Sequence, residues 1–183
     1  QAVIVPIAAK KEGVLEACRD LKEKLAAAGI RVVLDDSENS PGWKFNEWEM
    51  KGVPVRIELG PRDLEAGKCL LARRDTLEKS ECALDSAADS VKTLLAEISQ
   101  SMYNRAKARM DARIENAKTL DELLAAVDGG KFVRAGWCGC RECEDKVKEF
   151  AQATARVIDN ENTSDTCIVC GKKAKDTVIF ARA

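Results

Sequence analysis

No histidine occurs among the 183 residues of this chain. That absence removes the usual general base, the Ser-His and Cys-His nucleophile pairs and every mixed Cys/His metal site. Aromatic residues are scarce as well, with three Trp, four Phe and one Tyr, so any place where they gather asks for a reason. No uninterrupted apolar run approaches the ~20 residues needed to cross a bilayer, and no membrane span is expected. Neither sign of charge prevails: 30 basic residues face 31 acidic ones, for a net charge of −1. Such a balance argues against a protein that coats nucleic acid non-specifically, which needs many uncompensated Lys and Arg contacts to phosphate. It leaves open the reading of a few unpaired bases, where affinity comes from base edges and stacking.

What remains is an ordinary globular composition, 45% apolar and 33% charged, with room for one large or two small cores. The opening "QAVIVPIAA" has no initiator Met, shows no secretory leader and reads as part of a strand, which suggests a piece of a longer protein. "AVIVPIA" reads as a buried strand. A helix is expected from about Glu12 to Ala28, with Val14, Cys18, Leu21, Leu25 and Ala28 on one face and Gly29 as its stop. "IRVVLDD" is a second strand, "WKFNEWEMKG" a short helix and "VPVRIEL" a third strand. On that strand Val55, Ile57 and Leu59 should face a core, leaving Arg56 and Glu58 together on the opposite side. "KCLLARRD" and "EKSECAL" read as two further strands. A long helix from about Ser86 to Asn116 carries Val91, Leu95, Ile98, Met102 and Met110 on one stripe.

Strands alternating with helices make residues 1–104 an α/β domain with a mixed five-stranded sheet flanked by helices. Residues 105–183 read as a small α+β domain whose polar loop, "DNENTSD", separates two groups of cysteines.

Five of the eight cysteines fall in those groups, "CGCREC" (Cys138, Cys140, Cys143) and "CIVCG" (Cys167, Cys170). Short-spaced pairs about two dozen residues apart put four soft sulfurs within reach of one tetrahedral zinc, and four thiolates close its coordination sphere. A structural zinc, one per chain, is therefore expected. Spacing alone favours two CxxC pairs, Cys140/Cys143 with Cys167/Cys170. Cys18, Cys69 and Cys82 are scattered apolar positions with no hint of catalysis.

Three of the eight aromatics, Trp43, Phe45 and Trp48, stand close together in "PGWKFNEWEMKGVPVRIELGPRD", mixed with paired charges. Packing explains the aromatics and solvation explains the charges; a bound ligand explains both. That stretch, its continuation "LEAGKCLLARRD", both cysteine groups and the terminal "DTVIFARA" resemble the prolyl-tRNA synthetases of the archaeal and eukaryote-like type, over essentially the whole chain.

The resemblance implies an anticodon-binding domain followed by a carboxy-terminal zinc-binding domain. It implies a parent enzyme, a cytoplasmic class II homodimer that uses ATP and magnesium to attach proline to tRNA(Pro), and a catalytic domain lying before Gln1. This piece alone is expected to be non-catalytic, with tRNA(Pro) as its partner and no role for DNA. Glu49, Arg56, Arg62 and Asp63 match the family's anticodon-reading positions, Arg62 standing where the family often has Lys. The family's cysteine spacing, C-x4-C then C-x2-C, selects Cys138, Cys143, Cys167 and Cys170 as zinc ligands. The family typically ends in a tyrosine, whereas this sequence stops at "ARA"; either that residue falls outside this piece or the link it makes is missing. Two other readings remain: a zinc-containing protein-interaction module, and a thiol-disulfide protein that cycles Cys167 and Cys170.

Overall fold

A computed structural model describes residues 1–159 and 164–182. Four residues of the expected polar loop, 160–163, and Ala183 lie outside the described residues. The chain divides into two compact units, Gln1–Asn104 and Arg105–Ala183.

The first unit is a mixed five-stranded sheet in the order β2-β1-β3-β4-β5. Strands β1 (Ala2–Pro6), β2 (Val32–Leu34) and β3 (Val55–Leu59) run parallel; β4 (Lys68–Arg73) and β5 (Lys79–Ala83) continue antiparallel. Every residue of β1 is buried, which fits a central parallel strand covered on both faces. Helix α1 (Val14–Ala27) buries Val14, Cys18, Leu21 and Leu25, the residues its periodicity marks. They meet Ala2, Ile4, Val55, Ile57, Leu59, Cys69 and Leu71 on one sheet face, joined there by Ala87, Val91, Leu94 and Ile98 of α4 (Ala87–Asp111).

Alternation along the strands leaves Val3, Val5, Arg56, Glu58, Leu70 and Ala72 for the other face. Helix α2 (Pro41–Met50) packs against β1. It starts with Ser40 as N-cap, whose hydroxyl accepts the Trp43 N–H, and with Pro41 in the first turn, where a missing N–H costs nothing. Its one buried residue is Lys44 rather than an apolar side chain. A five-residue helix, α3 (Pro61–Glu65), follows β3 and has no periodic signal in the sequence.

Two expectations need correction. Helix α4 ends at Asp111, and Ile114–Asn116, expected to be helical, forms strand β6, paired in parallel with β7 (Phe132–Trp137). Sheet pairing there overrides local helix preference. The apolar stripe of α4 also stops early, since Met102 and Met110 are 53% and 52% exposed.

In the second unit the strands follow the order β6-β7-β9-β8, with β8 (Ala153–Ile158) and β9 (Asp176–Arg182) antiparallel to one another. Helices α5 (Leu120–Asp128) and α6 (Arg141–Ala151) supply Leu123, Val127, Val147 and Ala151 to a core built around Phe180. Helix α5 begins with a reciprocal cap: Thr119 accepts the Glu122 N–H and Glu122 accepts the Thr119 N–H.

Candidate functional site

On the α2-bearing face of the first sheet, the register sets Val3, Arg56, Ala72 and Lys79 in one row across four strands. Ala72 is too small to close the row, so the long cations on either side stand over an open floor. Arg56 donates from Nη1 to the Glu49 carboxylate at 2.6 Å and from Nε to Glu58 at 3.1 Å. Lys79 Nζ donates to Glu58 at 2.9 Å. The guanidinium lies over the Phe45 ring, 3.9 Å from its centroid. Arg74 Nε donates to the Glu49 carbonyl at 2.8 Å, tying the end of α2 to the β4–β5 connection. Trp48, Glu49, Arg56, Ala72 and Arg74 line a cleft of about 180 Å³.

The two carboxylates that hold Arg56 differ in kind. Glu58 is 7% exposed and Glu49 40%. Arg56 and Glu58, expected together on one face, form a largely buried bridge, in which desolvation makes the loss of either partner costly. Arg56 and Glu49 are brought into direct contact; the other two expected residues stand apart from that pair. Arg62 is exposed on α3, beyond the end of β3. Asp63, also on α3, turns its carboxylate back to accept the Gly60 N–H at 2.8 Å. Phe45, Glu58 and Lys79 complete the cluster although the sequence does not mark them as site residues. For Lys79 the missing signal is the register, because the turn "ARRDTLEKS" sets no unique pairing until both strands are in place.

The aromatics of α2 divide their work. Phe45 supports Arg56, and Trp48 donates its indole N–H to Asp35 at 2.7 Å. Trp43 leaves half its surface in solvent (50% exposed) and is free of core duty.

The second unit brings Cys138, Cys143, Cys167 and Cys170 together, with their sulfurs all within 4.8 Å of one another. Cys138 follows β7, Cys143 lies in the first turn of α6, and Cys167 and Cys170 belong to one tight turn. In that turn the Cys167 N–H bonds the Lys172 carbonyl at 2.8 Å and the Gly171 N–H bonds the Cys167 carbonyl at 2.9 Å. Gly171 sits at φ 69°, the left-handed region a side chain would resist. Cys140, favoured by spacing alone, is the exposed N-cap of α6, outside the group of four sulfurs. Its carbonyl accepts the Trp137 indole N–H at 3.0 Å.

The sulfurs fit a soft tetrahedral ion on size as well as number. Zinc–sulfur bonds of about 2.3 Å require sulfur–sulfur edges of about 3.8 Å. Two measured edges, Cys138–Cys143 and Cys138–Cys170, are 3.6 and 3.8 Å. Burial pushes the Cys143 thiol up. At Cys167 burial also acts upward, but backbone hydrogen bonds at Cys170, Val169 and Cys138 outweigh it and bring the thiol down to about 7, toward the thiolate a metal requires. Cys18 and Cys69 are opposite in character: burial holds them up at about 11 and about 12, as inert core thiols.

Residues 1–94 match the family model of the anticodon binding domain, and residues 120–183 match the model of the prolyl-tRNA synthetase C-terminal region. The class is thus an anticodon-binding α/β domain followed by a four-cysteine domain. Proline–tRNA ligase of Clostridium botulinum (strain Loch Maree / Type A3) is 46% identical over 186 residues, covering 100% of this chain and 39% of the relative. Those of Acetoanaerobium sticklandii and Oceanobacillus iheyensis are 47% and 45% identical, again over 100% of this chain and over 39% and 38% of their own lengths. The chain belongs to the prolyl-tRNA synthetase family, of which it carries the anticodon-binding and C-terminal domains. It spans about 39% of the length of the curated relatives it matches.

Proposed function

We propose that this chain recognises the anticodon of tRNA(Pro) for a proline–tRNA ligase, with residues 1–104 reading bases and residues 105–183 forming a zinc-stiffened domain. The observation that carries the reading is Arg56, stacked on Phe45 and gripped by Glu49 at the edge of a cleft. Proline codons begin CC, so every proline anticodon carries two guanines. Guanine offers acceptors O6 and N7 to a guanidinium, and imino and amino donors to a carboxylate. A cation and an acid side by side, with an aromatic floor, suit that base and no other so well. Arg62 and Asp63, on the separate α3, are assigned to the second guanine or its neighbour by family likeness.

Cys138, Cys143, Cys167 and Cys170 are proposed to hold one structural zinc. Four thiolates leave no position for water or substrate, so the ion supplies rigidity rather than chemistry. Activation of proline with ATP and magnesium belongs in this reading to a catalytic domain outside this chain, in a cytoplasmic homodimeric enzyme.

The test is binding of the 183-residue chain to tRNA(Pro) transcripts. Replacing either anticodon guanine by adenine is expected to weaken binding, by roughly 1–3 kcal/mol per lost bidentate contact. Arg56→Ala should lose the same increment and become indifferent to the swap at one of the two positions. Equal affinity of the parent for all transcripts would sink the proposal and favour a protein-docking role for the surface.

A further inference from the structure

Glu58 is buried and does not line the cleft, yet it bonds both Arg56, which does, and Lys79 on the same sheet row. Its Oε1 accepts Arg56 Nε at 3.1 Å, and Lys79 Nζ stands 2.9 Å from each of its two oxygens. Two cations crowded on one sheet row would repel each other without that buried negative charge between them. Of the five N–H bonds of a guanidinium, the one on Nε is thereby used inward, while Phe45 at 3.9 Å fixes the plane. The paired Nη1 and Nη2 remain at the cleft, and there Glu49 holds Nη1 at 2.6 Å.

Resting on the anticodon reading above, we infer that Glu58 is the positioning residue of base recognition: it keeps the Arg56 fork aimed at the cleft while a guanine replaces Glu49 on Nη1. The exchange leaves neither the guanidinium nor the Glu49 carboxylate unpaired. Before binding, the Glu49 carboxylate occupies one Arg56 N–H. Afterwards O6 and N7 of guanine accept from the fork, and Glu49 accepts the guanine imino and amino hydrogens. Exposure decides which carboxylate moves, since Glu49 at 40% can swing and Glu58 at 7% cannot. Glu58 reads no base itself; it acts through Arg56.

The 183-residue chain is titrated with an anticodon stem-loop carrying both guanines and with its two adenine-substituted twins. The readout is the affinity ratio between guanine and adenine loops, which a merely structural residue would leave alone. Glu58→Gln is expected to cut that ratio roughly tenfold. In an Arg56→Ala background the same substitution should change it no further, because the effect runs through the arginine. An undiminished ratio, or a loss that adds in full to that of Arg56→Ala, overturns the inference. If Glu58→Gln fails to fold, the parent decides by NMR. The Arg56 Nε–H signal should stay protected from exchange when the stem-loop binds, while the Glu49 side-chain carboxyl signal shifts; loss of Nε–H protection on binding overturns the role. A parent that does not separate guanine from adenine loops overturns the anticodon reading itself. A parent that does, beside an equally selective Glu58→Gln, overturns only the role of Glu58.

Discussion

Asp35 ties two residues of α2, Lys44 and Trp48, to the end of β2. Its carboxylate accepts the Trp48 indole N–H at 2.7 Å and the Ser37 hydroxyl at 2.6 Å, and Lys44, 2.8 Å from its carbonyl, is buried against it. Burial acts to raise the Asp35 carboxyl, but the Ser37 and Trp48 hydrogen bonds and the Lys44 charge outweigh it and hold the group below its ordinary value. A depressed folded-state value means that its stabilisation is complete above the unfolded value of roughly 4 and is lost as pH falls through the folded one. Asp35→Asn keeps an acceptor for the indole and removes the charge. It should cost about 1–2 kcal/mol at neutral pH and show a shallower loss of stability on acidification than the parent, measured by urea unfolding at several pH values. None of this is legible from residue types alone. Asp35 stands in a turn-rich stretch that reads as punctuation, and only the packed helix brings its partners to it. Arg56 and Glu58 were legible as a pair on one strand face near clustered aromatics, whereas Glu49 was marked only by the family resemblance.

At the level of elements, the strand β7 and the cysteine turn depend on one another through Gly136. A Cβ at that position would lie 2.2 Å from the Thr166 carbonyl oxygen and 2.8 Å from the Ser164 Cβ, distances no side chain can occupy. The close approach is what lets the Ile168 N–H bond the Gly136 carbonyl at 2.9 Å and sets Cys167 beside Cys138. Gly136→Ala is expected to displace the turn, destabilise the second unit by about 2 kcal/mol or more and weaken its hold on zinc, read by competition with a chelating dye. Gly136 escapes sequence reading since it sits inside a strand pattern next to Trp137. The helices α1 and α4 and the central strands were legible, being long or uniformly apolar. The end of α4 was not: "ARIEN" suits a helix locally, and only the neighbouring β7 recruits Ile114–Asn116 as a strand.

For the molecule as a whole, the proposed metal divides stability between the units. Zinc sites in small peptides are worth ~10–16 kcal/mol, more than a domain of this size otherwise possesses. Chelation should therefore unfold the second unit and spare the first, whose core contains no proposed ligand. Tryptophan reports on each: Trp137 belongs to the second unit, Trp43 and Trp48 to the first. Single-Trp variants should show chelator-induced change at Trp137 alone. Cys140→Ser should keep one zinc per chain and Cys138→Ser should lose it, by metal analysis of the purified chain. Retention of zinc by Cys138→Ser would reassign the site to the two CxxC pairs.

The sequence by itself determined the α/β class, most strand and helix faces, the clustering of cysteines and the residue types proposed to grip guanine, because periodicity and side-chain chemistry are local properties. Tertiary structure decided between the two cysteine sets that spacing and family likeness had favoured, and it alone decided that Glu58 is enclosed while Glu49 is not and that Lys79 joins Arg56 across Ala72. Those outcomes depend on register and close packing between segments far apart in the chain, and no local pattern encodes the distance between them.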